Sequence, residues 1–142
     1  MYITTTDLQA AIPPEEFLEL SDRTHTPPTT SDATIVAAAI EAGQGRAESY
    51  LTRRYALPVD FTDTVLARFL RRILVDYAWM ALHPRADMVS KDLAARCDAH
   101  DKTLADIADG NRDLPASNPP AAGNQESKIT SSSQGRKFGG LP

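Results

Sequence analysis

Apolar side chains recur every three to four positions over most of the first 110 residues, and nowhere do they alternate with polar ones for more than a few residues. That period marks one buried helix face, so the pattern predicts an all-α fold, a small bundle of about three long and two short helices. Thr6 with Gln9 has the capping-box spacing for a first short helix, which Pro13 and Pro14 stop. Pro14-Glu15-Glu16 is a good first turn for the second, because proline lacks an N–H that would have no partner there and carboxylates suit the positive helix end. Phe17, Leu18 and Leu20 supply its apolar face, and Arg23 to Thr30 reads as a loop.

Ser31 or Asp32 caps a long helix with the stripe Val36, Ile40, Gly43, Ala47, Tyr50 and Leu51. Its many alanines let a neighbouring helix come close, while Gly43 and Gly45 each cost about 1 kcal/mol against alanine and predict a bend near Gln44. The helix is expected to end around Tyr55. Ala56 to Phe61 reads as an extended connector, because Pro58 disfavours helical geometry at Leu57. Thr62 or Asp63 then opens the strongest helix, which runs to about Leu82 and stops at His83-Pro84. Leu66, Phe69, Leu70, Ile73, Tyr77 and Met80 share one of its faces, with Arg68, Arg71 and Arg72 opposite. Val75, Trp79 and Leu82 make the second half apolar nearly all round, as in a helix that is central to its domain or meets a partner subunit. A last helix follows Asp87 with the stripe Val89, Leu93, Cys97, His100, Leu104 and Ile107, and ends at Gly110 as a left-handed terminator.

At 142 residues, 42% of them apolar, the chain suits one domain with some surplus. The surplus lies beyond Gly110: the 28 residues from Pro115 hold four prolines, five serines and four glycines, with Ile129, Phe138 and Leu141 as the only large apolar side chains. Such a stretch cannot bury enough surface to offset the entropy of ordering, so the sequence divides into a helical domain over 1–112 and a flexible arm over 113–142 that orders on assembly. No apolar run approaches a membrane span, and the opening MYITTTDLQ lacks the basic and apolar regions of a signal peptide; neither a membrane nor a secreted protein is expected. A single cysteine, Cys97, rules out an internal disulfide framework. The net charge of −4 is uneven, with −6 on residues 1–45, +3 on 46–96 and −1 on 97–142. An acidic front and mildly basic middle suit protein contacts better than wrapping nucleic acid, whose affinity rests on many phosphate contacts.

Candidate chemistry is sparse. Cys97 and His100 are three apart on one helix, where a metal site or a thiol nucleophile could form, but His25 and His83 fall on unrelated loops and the set of ligands is short. Both residues lie in the apolar stripe, so the preferred reading is a core thiol and a packed histidine. Glu15 and Glu16 do not face each other on a helix and are sufficiently explained by their first-turn position. Gly43-Gln44-Gly45 lacks a third glycine and a preceding strand, and there is neither a phosphate-binding loop nor a G-x-S-x-G elbow. No enzyme, cofactor or metal is therefore expected. Arg53 and Arg54 end one helix, and Arg68, Arg71 and Arg72 share an arc of the next. Salt bridges within or between subunits are preferred for these over DNA, with Arg72 and Asp76 spaced for an intrahelical pair. The alternatives are a small helical DNA-binding regulator using Arg68, Arg71 and Arg72, and a hydrolase or redox protein using Cys97 and His100.

Several segments resemble one family, the head-completion or head–tail connector adaptor proteins of Mu-like tailed bacteriophages. They are Met1-Tyr2-Ile3-Thr4 with Asp7-Leu8, the run Phe17 to Arg23, Ala39-Ile40-Glu41-Ala42, and above all Glu48-Ser49-Tyr50-Leu51 continuing to Arg54-Tyr55-Ala56-Leu57-Pro58. Leu70-Arg71-Arg72-Ile73, Asp76-Tyr77-Ala78 and the terminal Arg136-Lys137-Phe138 follow in order. Gly43 and Gly45 stand where the family more usually has helix formers. The resemblance implies a structural ring of twelve copies in the virion neck, assembled in the host cytoplasm, that sits below the portal and continues the DNA channel. Its partners would be further copies of itself, the portal protein, and the next neck or tail-completion protein, with genomic DNA passing through the lumen without specific binding and no membrane involved. On this reading Arg53, Arg54, Arg68, Arg71, Arg72 and Trp79 are candidates for the subunit interface, and Ile129, Arg136, Lys137 and Phe138 for a portal-docking arm.

Overall fold

The computed structural model describes residues 2–59 and 61–115. Five α-helices appear among them, two short and three long: α1 (Thr5–Ala11), α2 (Pro14–Ser21), α3 (Ala33–Leu51), α4 (Thr64–Leu82) and α5 (Lys91–Ala108), with a 3-10 turn at Ala86–Met88 and no strand. The fold is the all-α bundle that the periodicity predicts. Among the described residues, no helix is long and apolar enough to cross a membrane.

The caps fall where side-chain oxygens reach free backbone N–H groups. Asp32 accepts from Thr34 N at 2.8 Å to start α3, and Asp63 accepts from the backbone of Val65 and Leu66 to start α4. Two starts differ from the sequence expectation. The capping box of α1 is Thr4 with Asp7, two residues before Thr6 and Gln9, and each side chain of the pair reaches the other's backbone N–H. The cap of α5 is Ser90, because Asp87 is held by the Arg85 guanidinium at 2.8 Å instead. At the far end of α5, Gly110 has φ 86°, the left-handed terminator foreseen.

α4 is the centre. Its residues Ile73 to Ala78 are all buried, and it packs on α1, α3 and α5. The α3–α4 contact is the most extensive, and it is close because of Gly43: a Cβ there would lie 2.9 Å from the Ala78 backbone nitrogen. α3 continues as one helix through Gly43 and Gly45, and Gly43 serves as its contact point with α4. α3 ends at Leu51, short of Tyr55, although turn hydrogen bonds continue to Arg54 and Tyr55. Two short helices could not stand alone. Ile3, Leu8, Ile12 and Phe17, at 4% exposure or less, fasten them to the bundle, each side chain contributing about 2 kcal/mol of burial. The packed region extends slightly past 112, since Leu114 is buried and its N–H donates to the Tyr55 hydroxyl.

Candidate functional site

The arginines of α4 lie on its solvent side, as the helical arc predicts. Arg68, Arg71 and Arg72 are all exposed, and Val65, itself 40% exposed, shares the face of Arg68 and Arg72 by helical spacing. Arg71 stands 3.8 Å from Asp7 and over the Phe61 ring. No carboxylate among the described residues pairs with Arg68 or Arg72. The spacing of Arg72 and Asp76 suggests an intrahelical pair, but Asp76 faces inward and meets α5 instead. Arg53 is exposed, with Asp109 at 3.5 Å and the Tyr50 ring beneath it.

Two of the other proposed interface residues are engaged inside the chain. Arg54 is 2% exposed; its guanidinium donates to the backbone carbonyls of Ile107 and Arg112 and to the Asp113 carboxylate. It closes the end of α5 and fixes the residues that follow, up to Asp113. Trp79 is half-buried, donates its indole N–H to Glu16 at 2.7 Å and lies under the Arg96 guanidinium. Glu16 is thus more than a solvated first-turn carboxylate, because it ties α2 to α4. Ile129, Arg136, Lys137 and Phe138 lie outside the described residues.

Cys97 and His100 face a polar seam between α4 and α5. The Cys97 thiol is fully buried beside the Asp76 carbonyl, and burial pushes its pKa up to about 11, so it stays a neutral core group. His100 Nε2 lies 2.8 Å from the Asp76 carboxylate, which also accepts from Arg96 Nε at 3.2 Å. Burial alone would raise the Asp76 pKa, yet these hydrogen bonds and charges hold it below its ordinary value. One turn on, Asp101 accepts from Arg46 Nη2 and from the Tyr77 hydroxyl, both at 2.6 Å, while Arg46 stacks 4.4 Å above the Tyr77 ring. Asp101 is likewise lowered against the pull of burial, and burial first, then Asp101, drives the Tyr77 phenol upward. Among the described residues no three His, Cys, Asp or Glu side chains are placed to hold a metal ion. The seam is built for satisfied hydrogen bonding between three helices.

A second polar device organises the loop after α2. The Asp22 carboxylate, 2% exposed, accepts backbone N–H bonds from Thr24, His25, Thr29 and Thr30, and meets His25 Nδ1 at 2.8 Å. The Thr30 and Thr29 N–H groups, above all, hold its pKa far below the carboxylate range. Arg23 beside it donates to the Leu82 carbonyl at the end of α4. Neither Asp22 nor the Arg46–Tyr77–Asp101 set stands out in the chain. The partners of Arg46 and Tyr77 are 55 and 24 residues away, although an Asp followed by threonines two, seven and eight residues on is a turn-forming pattern.

The sequence profile of the family described as Bacteriophage Mu, Gp36 matches residues 2–132 of the chain. No curated protein matches it. The profile spans all five helices, the polar seam and the arginine face of α4.

Proposed function

The chain belongs to the bacteriophage Mu Gp36 family, and on that premise we propose that it is a structural, non-catalytic head–tail connector of a tailed phage. Copies assemble into a ring between the portal and the next neck or tail component, and the ring continues the channel through which the genome passes. The observation that carries this reading is the contrast between a polar seam whose charges are paired within the chain and an outward face of α4 whose arginines are not. The seam residues Arg46, Asp76, Arg96, His100 and Asp101 are partnered within the chain, while Arg68 and Arg72 meet no carboxylate among the described residues and lie beside exposed Val65.

A charged face with an apolar member, and no carboxylate to meet it among the described residues, suits contact with another protein surface. The N-terminal third supplies the complementary charge, with exposed Glu15, Glu19 and Glu41 free of cationic partners among the described residues. Basic and acidic patches on one molecule permit a heterologous contact, in which each copy offers a different face to each neighbour, and such contacts close into rings. A regulator of transcription would need many phosphate contacts, which two exposed arginines do not supply.

The test is electron microscopy of virions carrying a tagged copy of this chain. A ring of density at the head–tail junction is expected. Label elsewhere on the particle, or none in mature virions, would overturn the proposal.

A further inference from the structure

We propose that the pocket between α1, α2 and the residue leading into α3 receives the chain's own segment Arg136-Lys137-Phe138. The pocket has a volume of about 290 Å³ and is lined by Gln9, Pro14, Phe17, Leu18 and Ser31. It is mainly apolar, and at the small end of ligand pockets it suits a single aromatic side chain better than a large molecule. The charged residues next to its lining are acidic. Glu15 lies one turn from Leu18, Glu19 follows Leu18 directly, and Asp32 follows Ser31. None of these three carboxylates has a cationic partner among the described residues. An aromatic ring flanked by cations is the matching ligand.

The chain contains such a ligand outside the described residues. Residues 128–142 hold Lys128, Arg136 and Lys137 and no acidic residue, and Phe138 directly follows two of those cations. The other three phenylalanines, Phe17, Phe61 and Phe69, already pack in or against the core. Reach favours the same molecule. Arg54, just past the end of α3, fixes the root of the segment, whereas Ser31 lies just before the start of α3. Root and pocket are therefore separated by about the length of α3, roughly 30 Å at 1.5 Å per residue. The 20 intervening residues, 116–135, can bridge at most about 66 Å, about twice that separation. A tether long enough to bridge the separation makes docking an intramolecular event, so the chain's own arm outcompetes that of another copy in free solution. The contact belongs to the free chain and does not depend on ring formation.

The test uses the full chain with Phe138→p-benzoylphenylalanine, irradiated as an equal mixture of nitrogen-15-labelled and unlabelled protein, with the cross-links mapped by mass spectrometry. Cross-links to α1–α2 peptides containing Phe17 or Leu18, within single chains and with a yield independent of concentration, are expected. Glu15→Lys with Glu19→Lys, both at exposed positions, should cut that yield at least fivefold, and Arg136→Glu with Lys137→Glu in the same chain should restore it. The arm substitutions alone leave the helical domain untouched and should give the same loss, so the result does not hang on whether the α2 variant folds. Cross-links mainly between labelled and unlabelled chains, cross-links scattered over other helices, or a yield indifferent to the arm substitutions would each overturn the proposal.

Discussion

Arg46, Arg54 and Arg96 on one hand, and Arg68 and Arg72 on the other, are the same side chain put to opposite uses. The first three are held by Asp101, by the carbonyls at the end of α5 with Asp113, and by Asp76. The other two, on the outward face of α4, meet no carboxylate among the described residues. What separates the sets is the element opposite each side chain. The α4–α5 packing brings Asp76 to Arg96, and α5 with the residues after it brings Asp101, Asp113 and backbone carbonyls to Arg46 and Arg54, whereas no carboxylate among the described residues faces Arg68 or Arg72. Arginines of the first kind specify how three helices fit together, and those of the second kind stay exposed, which is why the proposed ring contact is assigned to them.

The comparison is broken most severely at Arg54. Arg54→Ala would remove the buried side-chain donor of the Arg112 carbonyl and of the Ile107 carbonyl, which keeps only the Gly110 N–H at 3.2 Å, and would release Asp113. A loss of about 3 kcal/mol in unfolding free energy is expected, read by denaturant titration. Arg54→Lys should recover only part of it, since an ammonium cannot reproduce the forked geometry that serves three acceptors.

Asp101 comes next. Asp101→Asn keeps the shape but weakens the bonds from Arg46 and Tyr77, and a loss of about 2 kcal/mol is expected. The same group gives a pH dependence. Asp76 and Asp101 both have folded-state pKa values below the ordinary 3.8, so their stabilisation is in force above that value and is lost as pH falls through the lower, folded values. The thermal midpoint should therefore drop on acidification below about pH 4, and Asp101→Asn should flatten that drop. Gly43→Ala reaches the same network through the backbone. The new methyl would meet the Ala78 nitrogen, which cannot swing aside, and Tyr77 Cβ at 3.2 Å. α3 must then move away from α4 and draw Arg46 off Tyr77. Overpacking outweighs the gain in helix propensity, for a net loss of about 1 kcal/mol by thermal melting.

The bundle itself was legible because its signals are local. The stripe of α4, the stop at His83-Pro84 and the terminator Gly110 all act within a turn or two of themselves, and all lie where the period and the breakers place them. Caps were less legible, since Thr4 and Thr6, or Asp87 and Ser90, offer similar oxygens and tertiary position chooses between them. The fates of the arginines were least legible. Arg54 looks like a helix-end cation, and only the return of α5 and Asp113, 59 residues later, turns it into an anchor. Arg72 and Asp76 have the spacing of a pair, but Asp76 answers to α5. Helical spacing says which residues share a face and nothing about what covers it.

The smallest expected effect on stability is also the one that most sharpens the comparison. Arg68→Ala with Arg72→Ala removes two exposed side chains that have no ion-pair partner among the described residues, so unfolding free energy should change by less than about 0.5 kcal/mol. If those arginines meet an acidic patch of the next copy, the same substitutions should reduce ring assembly, measured by sedimentation with the portal present, and should reduce it most at low salt, where unscreened charges contribute most. Arg46→Ala is the reverse control: it should lower stability yet leave the assembly of the remaining folded protein intact, because its guanidinium is already engaged by Asp101. A double variant that assembles as the parent does would show that Arg68 and Arg72 are solvated rather than shared, and would move the search for the ring contact to another face.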